Sequence, residues 1–222
     1  MRYVFPEINN SFETEGDEVN VIIIENTKLF FDIITDISNQ VSGGDGRSVL
    51  SRENMVLRFD KNCELLDHFV PFSLNQKGLL SKIATMLEQR AKEGENYVKQ
   101  EELLASVERF FYDISVDFSG DIEFDRLTMA SLIKACDIRL CDDYDSLGEK
   151  IIDYMELVNE YMGEKMFITV GLRSFLSDND TELFMRTVLQ HGFHCIMIES
   201  HEKKKISCER RYIIDDDMCE IC

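Results

Sequence analysis

Proline is nearly absent, with two residues in a chain of 222, so long Pro-rich linkers are excluded. Glycine is scarce at 11, too few for a fibrous or low-complexity protein. Cations are outnumbered: 24 Lys and Arg stand against 43 Asp and Glu, for a formal charge of -19. A surface uniformly adapted to nucleic acid or anionic lipid is incompatible with that balance, and any such binding has to be local. No stretch approaches the roughly 20 apolar residues of a membrane span, and the opening Met1 to Pro6 lacks the apolar run and small-residue cleavage site of a secretory signal. Cytoplasmic residence without a membrane partner is the expectation. The seven cysteines are odd in number and scattered, which fits reduced thiols better than a disulfide framework.

What is present is apolar patterning, with 44% hydrophobic residues, enough to bury a real core. Val19-Asn20-Val21-Ile22-Ile23-Ile24 is a nearly unbroken β-branched run and reads as a buried central strand. Leu29 to Ile37 follows at helical spacing, with Asn26 or Thr27 as its cap. Segments from Arg47 to Phe59 predict strands on either side of a turn. Two antiparallel helices follow, one with Leu79, Leu80, Ile83, Met86 and Leu87 on a face, the other with Leu103, Leu104, Val107, Phe110, Phe111 and Ile114. A helix from about Tyr144 to Met162 completes the helical middle. Strand character returns at Met166 to Val170 and at Cys195 to Ile198, with a helix between them, a right-handed βαβ unit. The expected fold is α/β, a head with parallel strands built from residues 1–70 and 164–222, carrying an inserted helical leg lobe at 71–163.

Three passages together resemble a known family. They are Val21-Ile22-Ile23-Ile24-Glu25-Asn26 running into a helix, Asp121-Ile122-Glu123-Phe124-Asp125 running into Leu132-Ile133-Lys134, and the strand pair Phe167 to Val170 and Ile196 to Glu199. In order and spacing they resemble the type II-A CRISPR-associated adaptation accessory proteins, the Csn family. The likeness is poorest across Gln40 to Arg52 and from Ser200 onward. It implies a degenerate P-loop-like head, a tetrameric ring, calcium binding, and non-catalytic grip on the ends of linear double-stranded DNA during spacer acquisition. The implied partners are the CRISPR integrase subunits and the RNA-guided nuclease.

The residues themselves bear on each implication. At the first βα turn, Glu25-Asn26-Thr27-Lys28 has none of the glycines that let backbone wrap a phosphate. Asp117, Asp121, Glu123 and Asp125 form the most informative polar cluster. In an extended segment 121, 123 and 125 point to one side, and three converging carboxylates call for a cation or for water. Calcium suits such oxygen ligands better than zinc, and a solvated acidic face is the alternative. His191, His194, Cys195, His201, Cys208, Cys219 and Cys222 offer the rival zinc set, without a second firm Cys-x-x-Cys pair. Among the scarce cations, Arg126, Lys134, Arg139 and Lys150 surround the helix after the carboxylates. Repeated around a ring, they would make a belt following phosphates without reading bases. Lys203-Lys204-Lys205 precedes Arg211 to Ile214, a candidate edge strand. No hydrolase signature occurs. A metal-dependent nuclease and a protein scaffold that never touches DNA stand as the alternative functions.

Overall fold

The computed structural model describes residues 1–221; Cys222 lies outside them. In chain order the elements are β1 (Arg2–Val4), β2 (Ser11–Glu13), β3 (Val19–Ile24), α1 (Thr27–Val41), β4 (Val49–Arg52), β5 (Met55–Leu57), α2 (Phe59–Asn62) and β6 (Cys63–Leu66). Then come α3 (Lys77–Ala91), α4 (Gly94–Ser115), α5 (Met129–Ala135), α6 (Leu147–Met162), β7 (Met166–Val170), α7 (Asp178–His191), β8 (His194–Glu199), β9 (Glu209–Ile214) and β10 (Glu220–Ile221). The chain divides into two compact units, Met1–Ser73 with Asp143–Cys222, and Leu74–Asp142.

The first unit is the α/β body. Its main sheet has the order β10-β9-β3-β8-β7-β6, parallel except for β10. Every residue of β3 and of β8 is buried, as expected of parallel strands covered on both faces, whose sequences lose the polar alternation of a half-exposed strand. Ile22 and Ile24 of β3, Ile168 of β7, Ile196 and Ile198 of β8 and Tyr212 of β9 face a core shared with Leu29, Ile33 and Ile37 of α1. The same core takes Tyr3, Phe12 and Leu50 from a second, antiparallel sheet ordered β2-β1-β4-β5. The β4–β5 hairpin turns on Glu53 and Asn54, both at positive φ (50° and 65°). That pair of angles is the two-residue turn whose twist matches antiparallel strands.

Two boundaries differ from the sequence expectation. Helix α6, assigned by pattern to the leg, belongs to the α/β unit. It buries Ile151, Met155 and Val158, packs beside α7, and its Tyr154 hydroxyl donates to Glu64 Oε1 at 3.1 Å. Helical periodicity shows that a face is buried and not against what. The second difference is β9, which lies inside the sheet between β3 and β10 and not at its edge. Chain leaving β8 therefore crosses β3 to reach β9 through Ser200–Cys208, a strap without helix or strand.

A buried ionic cluster holds that strap. Arg173 and Glu209 are fully buried and 3.2 Å apart. Arg173 donates from its guanidinium to the Lys204 carbonyl at 2.6 Å and from its backbone N–H to Glu199 at 3.1 Å. Glu209 accepts from the Ile206 N–H at 3.0 Å and from Arg211 at 2.6 Å. Lys203 donates to the Arg173 carbonyl. The basic run thus serves as a fastening and not as an edge guard.

The second unit is helical, with α3 packed against α4 and α5. Thr128 and Ser131 form a reciprocal capping box at the start of α5, satisfying two otherwise orphaned N–H groups. Leu74 N–H donates to Asp142 Oδ1 at 3.1 Å, and the Asn75 side chain bridges the Leu140 backbone N–H and C=O at 2.8 and 3.2 Å. Helix α4 keeps little of its apolar face covered. Phe110 and Ile114 are each 60% exposed and Tyr112 68%.

Candidate functional site

The βα turn after β3 is closed to phosphate by its own side chains. Asn26 Oδ1 accepts from Leu29 N–H at 3.0 Å, capping α1, while its amide donates to the Asp216 carbonyl at 2.9 Å. Glu25, Asp215, Asp216 and Asp217 crowd the same turn with negative charge, Glu25 N–H donating to the Ile214 carbonyl at 2.8 Å. An anion would meet repulsion and a first turn already capped. At the end of β8, Glu199 is turned inward to Arg173 N–H, and burial raises its carboxyl above the ordinary range.

The polar group that most resembles catalytic machinery was invisible in the sequence. His194 Nδ1 lies 2.7 Å from Thr14 Oγ1, and Nε2 lies 2.9 Å from Glu164 Oε1; Glu164 is paired with Arg52. The Thr14 hydroxyl, however, also sits 3.1 Å from the Met1 carbonyl and 3.2 Å from the Met1 amine. A hydroxyl so engaged, beside a largely buried imidazole, joins the small sheet to the start of β8. Its partners lie 180 and 13 residues away in sequence, and no motif spacing could reveal them.

The carboxylates Asp117, Asp121, Glu123 and Asp125 lie in the helical unit between α4 and α5, in residues 116–128, which form neither helix nor strand. All four are exposed. Among the described residues no three His, Cys, Asp or Glu side chains come together in a group that could hold a metal ion. The convergence expected of a strand is therefore not realised within one chain, and these residues as placed do not fit a calcium site. Strand alternation needs a neighbouring strand to fix it, and the helical unit offers none among its described residues. The zinc set is also dispersed. Cys195 and Cys208 are buried, burial pushes the Cys195 thiol up to about 12, and Cys222 lies outside the described residues.

The four cations have separate surroundings. Arg139 is tied to Asp137 Oδ2 at 2.7 Å. Lys150 belongs to the α/β unit, with its ammonium 5.9 Å from the Tyr144 ring centroid. Arg126 lines a cavity of about 680 Å³ with Arg109, Phe111, Tyr112 and Phe124. Lys134 lines a cleft of about 540 Å³ between α3 and α5, where the sequence reading had missed its companion Lys77.

Both units hold paired and unpaired cations; in the α/β unit Arg2, Lys28, Lys165, Lys203, Lys204 and Lys205 make no ion pair among the described residues. In the α/β unit Arg47, Arg52, Arg58, Arg173, Arg186, Arg210 and Arg211 are all paired with carboxylates. In the helical unit Lys92 and Arg139 are paired. Lys77, Lys82, Arg90, Lys99, Arg109, Arg126 and Lys134 make no ion pair among the described residues.

These features define an α/β protein with a largely parallel sheet and an inserted helical unit. The chain belongs to the type II-A CRISPR-associated Csn2 family, whose model, described as CRISPR-associated protein, matches residues 40–218. The crystal structure of Stu0660 of Streptococcus thermophilus has the same fold, with a TM-score of 0.57 over 97% of this chain and 75% of that one, at 14% identity. Among the described residues, no helix is long and apolar enough to cross a membrane.

Proposed function

We propose that this CRISPR-associated chain is a non-catalytic protein that binds the ends of linear double-stranded DNA as a homotetrameric ring during spacer acquisition, beside the integrase subunits and the RNA-guided nuclease. The observation that carries the reading is the set of unpaired cations in the helical unit, in a protein whose total charge is -19. Charges left without a carboxylate are available to phosphates, and releasing counterions from DNA supplies sequence-independent affinity. Assembly is supported by the uncovered apolar residues of α4, a face that a second copy would bury. The degenerate P-loop-like character of the head is supported by the self-capped, acidic turn after β3.

Calcium enters this reading from the family resemblance, and the single chain provides no converging set of ligands for it; it is therefore a condition of the assay. Fluorescence anisotropy with a labelled linear duplex, with calcium and with a chelator, measures binding. A covalently closed circle of the same sequence is the comparison. Tighter binding of the linear form is expected, and equal affinity for the circle overturns end threading. Incubation of labelled duplex with Mg²⁺ or Mn²⁺ is expected to leave it intact, and metal-dependent cleavage would replace this reading with a nuclease.

A further inference from the structure

We draw no further inference here: the strongest candidate, the cavity of about 190 Å³ between α6 and α7, floored by Ile152 and Phe184 and rimmed by Glu149, Asp153 and Asp180, is an acidic cluster, and nothing in the structure shows what covers it.

Discussion

Arg173 carries its charge into a place where water cannot reach it, and its worth to the fold follows from what it would leave behind. Breaking a buried pair by removing one partner costs about 3–5 kcal/mol, because the remaining charge is stranded. Arg173→Met should lower the stability measured by urea unfolding by that order, and Arg173→Met/Glu209→Gln should recover part of the loss. A single variant as stable as wild type would show that the strap does not depend on the pair. His194 gives a pH dependence. Burial, the largest influence on it, holds its imidazole below the ordinary 6.5. Between the lowered value and 6.5 the unfolded chain binds a proton that the folded chain refuses, so stability present above 6.5 is lost as pH falls through that window. Unfolding measured from pH 7 downward should show that loss, and His194→Gln should flatten it; an unchanged profile would assign the loss to other groups. Neither role was legible in the sequence, where His194 stood only among the zinc candidates, because each residue acts through partners distant in the chain. Arg173 stands in Gly171-Leu172-Arg173-Ser174, which carries no signature, and Glu209 lies 36 residues on.

Elements were legible wherever the side chains alone encode their surroundings. Val19–Ile24 is a buried strand in sequence and in structure because six residues without exposed alternation leave few other options. Asn26 caps α1 as its position predicts. The β4–β5 hairpin was also foreseeable, and its turn invites a gain. Glu53 adopts a positive φ that costs an ordinary side chain about 1 kcal/mol. Glu53→Asn with Asn54→Gly should raise stability by about that amount in chemical denaturation, since Asn-Gly is the preferred pair for this turn. A loss would mean that the Glu53 side chain contributes something its exposure does not suggest. Residues 116–125 show where such reading ends. Val116, Phe118, Ile122 and Phe124 alternate with Asp117, Asp121, Glu123 and Asp125, a strand's pattern without a strand. Alternation describes which side chains would share a face, whereas a strand also requires a neighbour for its backbone, and that neighbour is not encoded in the segment.

At the scale of the whole molecule, the sequence conveyed the insertion of a helical unit into an α/β body and misplaced its second boundary by one helix. Interior and exterior are hard to tell apart from periodicity when a protein presents an apolar helix to the outside, as α4 does. Phe110 and Ile114 would be core residues in a self-sufficient domain. Phe110→Ser/Ile114→Ser should lower the mass measured by light scattering if α4 is where copies meet, and leave the circular dichroism spectrum unchanged. The same mass as wild type would place self-association elsewhere.

The clasp at Leu74–Asp142 and Asn75–Leu140 reaches further than local stability. Because the entering and leaving chains of the helical unit are bonded to each other, that unit has the topology of a cassette whose two ends coincide. A short Gly-Ser bridge from Ser73 to Asp143 should therefore yield an α/β body that still unfolds cooperatively. The helical cassette could then lengthen, shorten or be exchanged in evolution without renegotiating the sheet, leaving the body as a chassis.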